Sequence, residues 1–186
     1  MNFKPTWHAQ WQQQISDGGL LLLRLWLGQE FLYAAWQKLS GDWAPPDWFL
    51  QLDFPVWHQW LGPQLNWSAA GLAEWVLGLA LLAGLYTRWA ASGLLYITWV
   101  AAYTVHFDLG WAGWRAIETA DGLGFKVPLM MALMLLILWG HGGGRWTFDQ
   151  PVPRDGWELG WKEARFTASC TPFRHLGFFP DMAPVW

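Results

Sequence analysis

The sequence predicts an all-α fold, an integral membrane four-helix bundle with Trp-rich interfacial loops. Three observations predict it. Four stretches are apolar over the roughly 20 residues that a helix needs to cross the hydrocarbon core. Charged residues make up 13% of the chain, half of the roughly 25% usual in a soluble domain. The 186 residues include 19 Trp, a side chain enriched where membrane meets water. The mean hydropathy of +0.13 does not oppose this, because Trp scores as slightly polar on that scale and the tail is hydrophilic.

The same numbers exclude several classes. With 11 basic against 14 acidic side chains and a net charge of −3, the chain lacks the basic surplus of a nucleic-acid binder. Its 54% hydrophobic content opposes disorder, which needs low hydrophobicity and high net charge. A single cysteine, Cys170, excludes an intrachain disulfide and a CxxC redox pair. No two histidines stand at i, i+4 and no Cys cluster exists, so no metal site is expected.

Residues 1–17 read as an interfacial N-terminal segment. Trp7, Trp11 and Ile15 fall at i, i+4 and i+8, one face of a short helix lying in the headgroup layer. Residues 18–149 hold the transmembrane domain. Its apolar segments run from Gly18 to Leu39, Ser68 to Thr87, Trp89 to His106, and about Leu123 to Gly140. In the last, Pro128 lies near the first turn, where its missing N–H costs no helical bond. Residues 150–186 form a tail without clear period, read as irregular and docked on a partner or a membrane.

Charge in the connections gives an orientation. The loop from Ser40 to Trp67 has three Asp and no Lys or Arg, and the loop after His106 is acidic too. The opposite side carries Lys4, Arg88, Arg145, Arg154, Lys162, Arg165 and Arg174. The positive-inside rule places both termini in the cytoplasm. That describes a multi-pass protein of a prokaryotic inner (cytoplasmic) membrane, with lipid as its surroundings and no nucleic-acid partner.

Charges inside membrane helices are costly, so each is a functional candidate. Arg24 and Lys38, near helix ends, are expected to snorkel to the headgroups. Helical spacing puts Glu30, Tyr33, Ala34 and Gln37 on one face, and Tyr96, Trp99, Tyr103 and His106 on one stripe. Glu74 is expected to be buried and hydrogen-bonded to Arg24, Tyr96 or Gln37. If the bundle buries these faces, Glu30, Glu74 and His106 are proton-handling candidates. Tyr96, Trp99, Tyr103 and Gln37 then wall a quinone headgroup, whose two oxygens can exchange protons with a His and a carboxylate. The plainer alternatives stay open: the carboxylates as packing pairs, the aromatic stripe as an interfacial belt. His58 and His141 read as structural.

The run from Arg24 through Gly28-Gln-Glu30 to Lys38-Leu39 resembles the opening helix of the DoxX family of small membrane proteins. Glu74, Gly84-Leu-Tyr-Thr-Arg88, Val105-His106 and Arg145-Trp-Thr-Phe-Asp149 follow in the family's order. The DoxX/DoxD family is similar to the small subunit of an archaeal thiosulfate:quinone oxidoreductase. The resemblance implies a four-helix membrane subunit of a complex in quinone-linked sulfur-oxidising or other redox metabolism. The quinone is then a non-covalent cofactor, and a partner subunit supplies the redox centre. The alternative is a non-catalytic accessory or scaffold subunit of a larger respiratory or photosynthetic complex. The Trp-rich first loop, the loop around Trp111 and Trp114, and the tail depart from the family pattern and read as contact surfaces.

Overall fold

Four helices follow the four apolar segments: α1 (Trp7–Leu39), α2 (His58–Ala83), α3 (Thr87–Val105) and α4 (Lys126–His141). The computed structural model describes residues 7–55, 57–149, 157–161 and 164–168, with side chains over 15–55 and 57–149. The face drawn from Trp7 and Trp11 therefore lies outside the described side chains. The backbone there belongs to α1, which is continuous from Trp7 to Leu39; the separate short helix of the sequence reading is corrected. Gly18-Gly19 does not break it, since each Gly inside a long helix costs only about 1 kcal/mol.

The chain divides into two units, Met1–Asp149 and Gln150–Trp186. In the first, α1 packs along α2, and α3 packs along both α2 and α4. Its core is a column of Leu27, Leu81, Ala91, Leu94, Leu135 and Leu138, all essentially sealed from solvent. Small residues let α1 and α2 approach. A Cβ on Gly28 would lie 2.6 Å from Leu82 and 3.2 Å from the Gly78 carbonyl oxygen, the close contact that small residues allow between membrane helices.

The helix ends differ from the predicted ones where turn chemistry intervenes. Helix α2 starts at His58, ten residues before Ser68, but it is kinked. Gly62 adopts φ 74, a left-handed conformation open to Gly, and Pro63 starts the straight part as a first-turn proline. At its other end Gly84 (φ 70) closes α2. Leu85 N–H reaches Ala80 O at 2.8 Å and Gly84 N–H reaches Leu81 O at 3.2 Å, the paired bonds of a Schellman cap. Helix α4 begins at Lys126 because Leu123 is used in a two-residue ladder, β1 (Glu118–Thr119) with β2 (Gly122–Leu123).

Helix α2, 26 residues with an 18-residue stretch at mean hydropathy 1.3, is long and apolar enough to cross a membrane; α4 is apolar but shorter. Among the described residues α1 and α3 do not meet that measure, whereas the sequence reading expects four segments each long and apolar enough to span, the fourth the weakest. The reason is compositional. Helix α1 carries Arg24, Glu30, Lys38 and several Gln, and α3 is rich in Trp, Tyr and Thr, which weigh against a hydropathy mean.

In the second unit β3 (Trp157–Trp161) pairs antiparallel with β4 (Ala164–Ala168), with Leu159 opposite Phe166. The irregular tail is thereby corrected over these residues. The apolar positions Trp157, Leu159 and Trp161 alternate, the period of a strand. The rest of the tail lies outside the described residues.

Candidate functional site

Three polar clusters stand within the bundle, and each draws on residues far apart in sequence. The first joins α1 to α2. Glu74 is 5% exposed and receives Lys38 Nζ at 2.7 and 3.0 Å on its two carboxylate oxygens. Lys38 also lies 5.8 Å from the centre of the Trp67 ring, and its carbonyl accepts Trp67 Nε1–H at 3.2 Å. The α1–α2 loop folds onto this place. Phe49 and Phe54 are buried, and Phe49 meets the Trp67 ring edge-on at 4.8 Å. Glu74 is thus buried and hydrogen-bonded, but to Lys38 rather than to Arg24, Tyr96 or Gln37. The expectation that Lys38 snorkels is corrected: a buried carboxylate within reach of its amine outweighs the headgroups, because an unpaired charge there would be costly.

The second cluster closes the opposite end. Arg24 is 2% exposed, not snorkelling. Its guanidinium donates to the Trp146 carbonyl at 2.9 Å and the Gly143 carbonyl at 3.1 Å, with Leu82 O at 3.4 Å. These oxygens lie at or just past the C-terminal ends of α2 and α4, where carbonyls lack helical partners and a cation is favourable. Beside it Asp149 accepts the Tyr86 and Thr87 N–H groups, each at 2.6 Å, and so caps α3.

The third cluster is built on α3 and the kinked start of α2. Asn66 Nδ2 donates to the His58 and Gly62 carbonyls at 2.7 and 3.0 Å. Both are acceptors only, so the amide orientation is fixed and its oxygen faces His58 Nδ1 at 2.6 Å. That nitrogen must carry the proton. In the neutral ring Nε2 then holds a lone pair, and it accepts the hydrogen bond that the Tyr96 hydroxyl donates across 2.8 Å. The phenol oxygen in turn accepts Trp57 Nε1–H at 2.7 Å. The chain therefore has one direction: Trp57 to Tyr96 to His58 to Asn66.

From this cluster an aromatic ladder runs along α3. Ring centres stand 5.8 Å apart for His58–Tyr96, 6.0 Å for Tyr96–Trp99, 6.3 Å for Trp99–Tyr103 and 6.2 Å for Tyr103–Phe107. The planes of successive rings stay within 32°. Beside the ladder an apolar groove of about 650 Å³ opens between α3 and α4, lined by Tyr96, Trp99, Ala102, Phe125, Leu129 and Trp139 among others. Its size is that of a small-molecule site.

The predicted set of seven residues is thus divided. Tyr96, Trp99 and Tyr103 share the outer face of α3. Glu74 is in the α1–α2 seam. Glu30 is half-buried, and Gln37 is exposed with Tyr33, which is 62% exposed, so their face of α1 turns away from the bundle. His106 ends α3, where its backbone N–H bonds Ala102 O. Sequence reasoning missed His58, Asn66 and Trp57. The Pro-Gly punctuation around them signals a turn, but nothing local says that the turn returns to α3. Among the described residues His141 bonds within its own helix, to Ile137 O. Among the described residues no three His, Cys, Asp or Glu side chains gather as metal ligands.

The DoxX family profile matches residues 19–107, from within α1 to Phe107, the last ring of the aromatic ladder. An uncharacterised protein of Haemophilus influenzae is 31% identical over 145 residues, 76% of this chain and 89% of that one. The chain belongs to the DoxX family. All three polar clusters draw residues from this DoxX region, and Asp149 and the Gly143–Trp146 turn supply the rest from beyond it. DoxX membership, together with the apolar α2, describes a small membrane protein of all-α fold. No solved structure matches the chain.

Proposed function

We propose that this protein is the small integral membrane subunit of a quinone-linked electron-transfer complex, and that a quinone ring docks in the α3–α4 groove. One observation carries the reading. The groove wall ends in a phenol, Tyr96, that is hydrogen-bonded to an imidazole. An apolar cleft with a few convergent polar groups is the usual form of a small-molecule site, and a groove open to lipid suits a ligand that arrives from lipid. Trp99 and Tyr103 give the ring a flat surface. Glu74, held by Lys38, fixes α1 to α2. The redox centre comes from a partner, and the fold sits in a prokaryotic inner membrane with four spans and cytoplasmic termini.

Gentle purification from native membranes tests this. Isoprenoid quinone should co-purify in near-stoichiometric amount, and Tyr96→Phe should lower it together with quinone reduction by the assembled complex. Quinone content at the level of bulk lipid would contradict the reading.

The accessory-subunit reading has its own support. Trp60 is 85% and Trp111 82% exposed, on the two outer loops, and aromatic side chains are enriched at interface cores. These loops, with the tail, are the proposed docking surface. Full complex activity in a strain lacking this chain would favour that reading.

A further inference from the structure

Tyr96 differs from Tyr33, Tyr86 and Tyr103, the other tyrosines of the chain, in what its hydroxyl meets. Among the described residues it alone is hydrogen-bonded to an imidazole. The 2.8 Å from its oxygen to His58 Nε2 is within the reach of a general base. Asn66 holds the other ring nitrogen as a donor, so the lone pair of the neutral imidazole faces the phenol proton. The phenol oxygen also accepts Trp57 Nε1–H at 2.7 Å.

This arrangement stays satisfied when the phenol ring loses one electron. Oxidation turns a phenol into a strong acid, and its proton can cross to His58 Nε2 with no side chain moving. The imidazolium then donates from Nδ1 to Asn66 Oδ1 and from Nε2 to the phenoxyl oxygen, and Trp57 donates to that oxygen as before. Every donor keeps an acceptor on both sides of the transfer, as a fully satisfied network requires. The electron has a route as well. Tyr96 is 6.0 Å from Trp99 between ring centres, and Trp99 is 6.3 Å from Tyr103. Indoles and phenols are, with thiols, the side chains that most readily give up one electron. Trp99 and Tyr103 are half exposed, on a helix of the membrane domain.

We propose that Tyr96 and His58 form a proton-coupled redox pair, a trap for oxidising equivalents that reach the α3 ladder from lipid. The oxidant is a peroxyl radical, a class that forms and travels in lipid and so meets Trp99 and Tyr103 from outside. One electron passes from Tyr96 along the ladder to the peroxyl radical, which takes a proton from water and becomes a hydroperoxide. The Tyr96 O–H bond breaks, its proton goes to His58 Nε2, and a neutral phenoxyl radical remains on Tyr96. The pair requires no ligand in the α3–α4 groove, so the inference stands apart from the docking reading.

The test uses the full-length protein in lipid nanodiscs with a lipid-soluble azo initiator, which releases peroxyl radicals in air. A nitrone spin trap captures protein radicals, and peptide mass spectrometry locates the adducts. Exposure alone favours Tyr103, 51% exposed against 40% for Tyr96. The wild-type protein should instead carry its tyrosyl adducts chiefly on Tyr96. His58→Phe removes the base and should lower the Tyr96 adduct by roughly a hundredfold, the low end of what a positioned base contributes, with adducts moving to Trp99 and Tyr103. If that variant does not fold, the wild-type distribution decides by itself. Adducts that follow exposure in the wild-type protein overturn the inference. So does a Tyr96 adduct undiminished in a folded His58→Phe variant.

Discussion

At the scale of single residues, the structure turns on which charge meets which. Lys38, in the last turn of α1, and Arg24, near its middle, are cations of one helix, and helical spacing alone does not say what each meets. Their surroundings do. Lys38 finds the Glu74 carboxylate at 2.7 Å. Arg24, with a planar fork of donors, collects carbonyls from separate segments, which a lysine cannot span. The periodicity of α1 was legible, and so was the burial of Glu74. Its partner was not, because period gives faces and not the rotation of one helix against another. Removing one member of a buried pair strands the other, a loss of about 3 kcal/mol. Lys38→Met should therefore destabilise the protein by about that amount, and Lys38→Met with Glu74→Leu should recover most of it. Thermal unfolding in detergent, followed by near-ultraviolet circular dichroism, measures both. A double variant no more stable than the single one would mean that Glu74 has a requirement beyond its partner.

At the scale of elements, the four helices were readable because each is a long apolar stretch bounded by Gly, Pro or charge. What the pattern hid were the joints. Gly62-Pro63 reads as a break, yet Asn66 ties the residues before it back to α2, and the extra turn carries His58 to Tyr96. The α2–α3 hairpin is short, but its anchor, Asp149, lies more than sixty positions away, where no local signal reaches. Asp149 caps α3 with both oxygens, so Asp149→Ala should cost about 2 kcal/mol. Asp149→Asn, keeping one acceptor, should cost about half as much. Hydrogen exchange of the Tyr86 and Thr87 amides reads the cap directly. Protection unchanged in Asp149→Ala would remove Asp149 from that role.

At the scale of the whole molecule, the helix order sets the α1–α2 loop and the α2–α3 hairpin at opposite ends of the bundle. In a chain freed of its cysteine by Cys170→Ser, single cysteines at Trp48 and Trp89, both exposed, should label from opposite faces of sealed vesicles, Trp89→Cys from the cytoplasmic face. Labelling of both from one face would reject the proposed spans. The central claim, a quinone ring in the α3–α4 groove, is tested most directly by mapping where a photoreactive azido-quinone attaches in membranes. The account predicts adducts confined to residues 92–102 and 125–139, suppressed by unlabelled quinone and reduced by Tyr96→Phe. Adducts spread evenly over every lipid-facing helix, or indifferent to competing quinone, would contradict it.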